Sequence, residues 1–407
     1  MSKYVIIGGG VASVGCIEGI RSIDKEGEIT LLSKENKFPY CRPLISYYLE
    51  GKTTFEKMNY RPENFYKENK CNVVFNQAKN INVEDKEVIL DDEIIQYDKL
   101  CVATGSIPFV PPFKGLETVA VKTSFMTEDD AIFLNEKLTN KSRVLIVGAG
   151  LIGLKCAEGI AKKVASVTIC DLADRVLSSI LDNECAKRMQ EKMENNGIKF
   201  YLKNSVQEFN KNIAILQNGE QISFDVLVTA VGVRAEISIV KDIVKTDRGI
   251  LVDIKQKTSN PFIYSAGDCC QGYDASIGSN RILAIFPNAY MQGYVAGVNM
   301  AGGNAEFEKG IPMNAIGFFG LHALTAGSYD GELTEIKTEG FIKRFFIKDD
   351  KLVGFMLIGE FERAGILTAL VRDKTPLSTI DWQILLDTPS LACFDKEKRK
   401  SILGGVV

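Results

Sequence analysis

Gly8-Gly9-Gly10-Val11-Ala12-Ser13 and, about one domain later, Gly148-Ala149-Gly150-Leu151-Ile152-Gly153 are two glycine-rich turns of one kind. Each follows a short apolar run that reads as a buried strand, Tyr4-Val5-Ile6-Ile7 and Arg143-Val144-Leu145-Ile146-Val147. Each leads into a helix-like segment. A strand, a glycine turn and a helix start together make a seat for a pyrophosphate: the turn lets the backbone come close, and the helix end offers unpaired amides with a positive partial charge. One such turn is a weak signal. Two in one chain predict two dinucleotides and electron transfer between them.

Working outward from the first turn, Gly8 permits the tight bend and Gly10 the approach of phosphate oxygens. The third glycine of the usual pattern is replaced by Ser13, small enough for helix–strand packing. A ribose needs an acceptor about 20 residues beyond the glycines. After Ile29-Thr30-Leu31-Leu32 the candidates are Glu35 and, less directly, Ser33; a solvated loop carboxylate is the other reading of Glu35. The second turn is complete, with Gly148, Gly150 and Gly153, and Leu151 and Ile152 open its helix. The next strand, Ser166 to Asp171, ends in a carboxylate that accepts from ribose hydroxyls and repels a 2′-phosphate. That predicts NADH over NADPH, with Arg175 as the opposing feature.

The bulk numbers fit this picture. A chain of 407 residues holds two or three domains with real cores. A net charge of −3 argues against a nucleic-acid binder. No apolar stretch approaches the roughly 18 residues of a membrane span, and Glu18 after the glycines spoils a signal-peptide reading, so a cytoplasmic location is expected. The ten cysteines include no C-x-x-C pair, which disfavours zinc ribbons and structural disulfides. The single histidine, His322, excludes a multi-histidine metal site and leaves any histidine-based triad only this residue; packing in a C-terminal domain is its simpler role.

The fold class expected is α/β with a C-terminal α+β domain. Strand candidates at Cys71–Phe75, Lys86–Leu90 and Ile94–Tyr97 precede a buried strand that ends in Ala103-Thr104-Gly105. Pro108, Pro111 and Pro112 mark a boundary. A second alternating unit closes on Val226 to Gly232. Then Thr258 to Ala266, Gly267 and Asp268 return to the first unit, followed by a helix starting near Asn288. The economical division places one domain at 1–112 plus 249–305, a second, inserted one at 113–248, and a third at 306–407. In the third, Phe341–Ile347 and Leu352–Ile358 read as a hairpin with a polar turn at 348–351.

As an ordered set, these turns together with Ala103-Thr104-Gly105 and the Thr258-to-Asp268 signature resemble the two-dinucleotide, glutathione-reductase-like flavoprotein superfamily over about residues 1–302. The resemblance implies FAD in the discontinuous domain and NAD in the inserted one. It implies that Asp268 accepts from the FAD ribityl chain. It also implies that the helix near Asn288 points its amide end at the flavin, where negative charge develops. Ala12 and Gly232 belong to the implied nucleotide-binding set. Phe38-Pro39-Tyr40-Cys41-Arg42-Pro43-Leu44-Ile45-Ser46 is similar to a subgroup of NADH:rubredoxin reductases, ferredoxin-reductase components and nitrite-reductase flavoproteins. There Arg42 would contact FAD phosphate or ribose, a surface arginine being the alternative.

Two positions depart from that subgroup. Tyr47 stands where a lysine is common, and Lys155 where a glutamate is common; both are expected where the two rings meet. No side chain is assigned as a certain catalytic group. Cys41 is the one cysteine near the expected flavin site, and the adjacent Cys269-Cys270 could bridge only with strain. The function implied is FAD-dependent oxidation of NADH, with electrons passed to a small redox protein such as rubredoxin. The alternatives are a flavoprotein subunit of a larger complex, of the 2-oxoacid dehydrogenase or nitrite reductase type, and a single-cysteine disulfide or peroxide reductase using Cys41. Whether the chain forms a homodimer is left open.

Overall fold

The computed structural model describes residues 1–387 and 389–404. The first glycine turn follows the strand Lys3–Ile7, the central member of a five-stranded parallel sheet. Its neighbours are Glu28–Leu32 and Lys99–Val102, with Cys71–Val74 and Ile263–Ser265 outermost. The last of these comes from beyond the inserted unit, so one sheet joins two distant parts of the chain. The second turn follows Arg143–Val147, central in another five-stranded parallel sheet with Ser166–Cys170, Ile198–Tyr201, Val226–Thr229 and Lys122–Thr123. Near-continuous apolar runs make these strands because both faces of each sheet are covered. The third unit is a five-stranded antiparallel sheet of residues 313–358, with the helix Ala364–Asp373 packed on it. Its expected hairpin turns at Asp349 and Asp350, both with positive φ, the backbone of a two-residue type I′ turn.

A stripe of glycines welds the two halves of the first unit. Gly15 and Gly19 of the helix Val11–Ile23 lie against the helix Phe286–Met300, whose Gly293 and Gly297 face back. A Cβ on Gly293 would sit 1.9 Å from the Ala12 carbonyl oxygen, and one on Gly15 2.2 Å from that of Tyr290. The backbones touch, and no side chain fits between them. Gly293→Ala therefore forces the helices apart; a loss of about 3 kcal/mol is expected by chemical denaturation.

The second unit's core draws on all three units. Tyr40, Ile45, Leu49 and Met58 from the first, and Phe318, Ile342 and Met356 from the third, share one cluster with Val144, Ile146 and Leu154. The helix Leu151–Ile160 is thereby held between the 40–58 excursion and the C-terminal sheet. Among the described residues no helix is long and apolar enough to cross a membrane.

Candidate functional site

The two glycine turns share the same local geometry. Gly8 has φ +124° and Gly148 φ +117°, conformations that disfavour any side chain. A Cβ on Gly8 would meet the Ala103 carbonyl oxygen at 2.0 Å, and one on Gly148 that of Ala230 at 2.2 Å. Gly10 and Gly150 each N-cap the following helix without a side-chain cap, and nothing lies within 4 Å of a Cβ built on either. Each helix start thus faces open space, with the first two amides of each helix (Val11 and Ala12, Leu151 and Ile152) unpaired among the described residues, while the Ser13 N–H donates to the Gly10 carbonyl at 3.1 Å. Ser13 is fully buried, and its hydroxyl donates to the Gly10 carbonyl at 2.6 Å, bracing the turn where the third glycine is missing. Gly153 serves the close approach in the second turn: its Cβ would lie 2.1 Å from the Gly148 carbonyl oxygen.

A cleft of about 320 Å³ opens above the first turn. It is lined by Gly8, Gly10, Ala12, Glu35, Arg42, Ala103, Thr104, Gly105, Gly267 and Asp268, all candidates from the sequence. Asp268 makes no hydrogen bond among the described residues, and burial pushes its carboxyl up to about 6, with Arg42 opposing. That carboxyl, without a side-chain partner, lines the cleft together with three glycines of positive φ, Gly8, Gly105 and Gly267. The start of the helix Phe286–Met300 lines the same cleft through Ile285, Phe286 and Ala289, again with no side-chain cap. That helix begins two residues before Asn288, with Pro287 in its first turn, where its missing N–H costs nothing. The Asn288 side chain turns away and donates to the Ile311 carbonyl at 3.0 Å.

Glu35 stands between two neighbours. Tyr40 donates its hydroxyl to one carboxylate oxygen at 2.8 Å, and Arg42 pairs with the other. Arg42 also donates to the Met126 carbonyl at 3.1 Å. Glu35 is therefore an anchored cleft carboxylate and not a solvated loop residue. Sequence reading missed Asn76, Gln77, Ala78, Glu236, Ser238 and Ile239, which line the far part of the cleft. They lie in loops beyond the strands Cys71–Val74 and Val233–Ala235, and no spacing signal marks them.

In the second unit Asp171 is fixed by two amides: Ala149 donates at 2.6 Å and Ala173 at 2.7 Å. Arg175 is tied into its own loop by Asp174, Leu181 and Ser178. Gly232, at φ +121°, has open space above it.

Tyr47 and Lys155 meet, but outside the lining of the first cleft. The Lys155 ammonium lies 5.6 Å from the Tyr47 ring centroid and 4.8 Å from that of Phe318. It donates to Glu158 and to the Gly317 carbonyl, each at 2.6 Å. It is a clamp onto the third unit rather than a solvated residue. His322 pairs with Gly317 across the sheet and rests on Phe361, ring centroids 5.0 Å apart, at the exposed edge of that unit. All ten cysteines are free. Burial raises the Cys41 thiol, which disfavours the nucleophilic thiolate. Cys269 and Cys270 are fully buried, also raised, and unbridged.

Comparison with known proteins agrees with this geometry. Over 395 residues the chain is 30% identical to the NADH-dependent phenylglyoxylate dehydrogenase subunit epsilon of Aromatoleum evansii, covering 93% of each. It is 26% identical over 332 residues to the NADH-rubredoxin oxidoreductase of Clostridium acetobutylicum, covering 81% of this chain and 82% of that one. Among solved structures, the putidaredoxin reductase–putidaredoxin complex superposes with a TM-score of 0.87 at 22% identity, covering 99% and 98% of the two chains, a likeness of fold. Residues 2–293 match the family described as pyridine nucleotide-disulphide oxidoreductase, and the chain, an oxidoreductase with two dinucleotide-binding units, belongs to that family.

Proposed function

We propose that the first cleft holds FAD, that the second turn holds NADH, and that the chain oxidises NADH and hands the electrons to a small redox protein. The observation that carries this is the pair of uncapped, φ-positive glycine turns, each facing open space, with the unpartnered Asp268 carboxylate in the first cleft. When bound, FAD supplies an acceptor for hydride and a donor of single electrons. The chain's own part is placement and field. The Gly8–Ser13 and Gly148–Gly153 turns hold the two pyrophosphates, Asp268 and Glu35 accept from sugar hydroxyls, and the start of the helix Phe286–Met300 sets a positive potential at the cleft wall.

Asp171, with Arg175 engaged elsewhere, selects the unphosphorylated nucleotide. Asp171→Ala is expected to raise KM for NADH about tenfold or more while leaving that for NADPH unchanged or lower, by loss of a charge-assisted hydrogen bond and of repulsion. Steady-state kinetics with both nucleotides checks it.

Rubredoxin-type acceptors are favoured by the 26% identical relative named for that partner. NADH-driven reduction of a panel of rubredoxins, ferredoxins and disulfides identifies the acceptor; turnover only with disulfides would reject this reading. A second reading is favoured by the 30% identical relative, itself a named subunit: the chain acts as the flavoprotein subunit that passes electrons to NAD⁺ in a larger 2-oxoacid-oxidising assembly. Co-purification of other subunits from native cells, with electron flow from a 2-oxoacid to NAD⁺, supports that reading; a free monomer or dimer rejects it.

A further inference from the structure

We propose that Tyr40 is a positioning residue that links occupancy of the two nucleotide sites, so that FAD in the first cleft tightens NADH binding at the second. The inference rests on the assignment of FAD and NADH above.

Tyr40 is 3% exposed and its hydroxyl faces two units at once. It donates to Glu35 in the FAD cleft at 2.8 Å and accepts from the backbone N–H of Glu128 at 3.0 Å. Glu128 is the first residue of the helix Glu128–Lys137, whose Ala131 and Leu134 are built into the core of the NAD unit with Val144 and Ile146. A parallel link runs from Glu35 through Arg42 to the Met126 carbonyl at 3.1 Å, in the same helix-start segment. Lys37 adds a third, with Glu128 at 2.9 Å and Asp129 at 2.5 Å. The carboxylate offered to the FAD ribose is thus joined by single side chains to the N-terminal turn of a helix in the other unit.

A carboxylate has about four acceptor positions, and Tyr40 and Arg42 use two of them. A ribose hydroxyl therefore adds to the network without displacing it. It fixes Glu35, hence Tyr40 and Arg42, hence the turn at Met126–Glu128. A second nucleotide then meets a unit whose orientation is already set and loses less freedom on binding. Linkage requires the converse: NADH raises the equilibrium affinity for FAD by the same factor.

The test uses ADP-ribose, the redox-inert part of NADH, and titration calorimetry on FAD-loaded and FAD-free protein. The native chain is expected to bind ADP-ribose about tenfold tighter when loaded, within the usual range of coupling between sites. In Tyr40→Phe, which keeps the ring in the core, the ratio is expected to fall to within about twofold of unity, and amide exchange at Glu128 to become insensitive to FAD. In turnover the same variant raises KM for NADH with kcat retained, which a general loss of stability does not produce. If removal of FAD unfolds the chain, the equilibrium FAD dissociation constant, measured with and without saturating ADP-ribose, reads the same factor. An undiminished ratio in Tyr40→Phe, or a native ratio of one, overturns the proposal. Failure of the native chain to bind FAD at all rejects the underlying assignment instead.

Discussion

Asp268→Asn binds FAD about thirtyfold more weakly than the native chain at neutral pH, in line with the loss of hydrogen bonds to an ionised acceptor. Burial pushes the Asp268 carboxyl up to about 6, because it disfavours the charge and Arg42 compensates only in part. Sugar hydroxyls donate to the ionised form, so binding favours deprotonation. FAD affinity of the native chain is accordingly full above about pH 6 and falls as pH drops below it, while that of Asp268→Asn is flat there. The apoprotein moves the other way. A carboxyl raised from 3.8 to about 6 on folding destabilises the fold above pH 6, and that cost fades as pH falls through 6 towards 4. The ligand-free Asn variant is therefore more stable than the native chain at pH 7, by up to about 3 kcal/mol, and nearly equal to it at pH 4. Fluorescence titration of FAD across pH 5 to 8 and denaturation of the apoprotein at pH 4 and pH 7 measure both arms. An Asn variant less stable than the native apoprotein at pH 7 would show that Asp268 is a structural acid.

Gly10→Val and Gly150→Val separate the two sites with larger effects still. The space above each glycine is empty, and the backbone of each is extended with negative φ, so the fold tolerates the side chain. The pyrophosphate does not, since isopropyl atoms would occupy its place against the amides. Gly10→Val is expected to purify without FAD and to lose FAD affinity at least a thousandfold, about 4 kcal/mol. Gly150→Val retains FAD and its colour but loses NADH binding to a comparable extent. Gly8→Val is the contrast: its Cβ would enter the Ala103 carbonyl at positive φ, so it loses the fold with the cofactor. Absorbance spectra, calorimetry and circular dichroism distinguish the three. A Gly10→Val protein that still carries FAD would place the cofactor elsewhere.

Much of this was legible in the sequence because the decisive features are local. A glycine turn, its strand and its helix lie within about 20 residues, and so do the carboxylates Glu35 and Asp171 at the next strand ends. Asp268 was legible through the small residues before it. Contacts between distant segments were not. Tyr40 meets Glu128 across 88 residues, and Lys155 meets Gly317 across 162. No periodicity encodes such meetings; they arise only when the helix Leu151–Ile160 is placed between two other units. The loops at Asn76–Ala78 and Glu236–Ile239 were silent for the opposite reason: polar loop residues look alike whether they face water or a ligand. The helix expected to start near Asn288 begins at Phe286, because Pro287 fits the first helical turn.

The central claim is that this chain brings a nicotinamide and a flavin together across the two glycine turns. Anaerobic titration of the purified, FAD-loaded protein with NADH tests it most directly. The account predicts that the yellow absorbance band bleaches with one equivalent of NADH within the time of enzymatic turnover, and that Gly150→Val keeps the band unbleached. A native holoprotein whose band is untouched by excess NADH would contradict it.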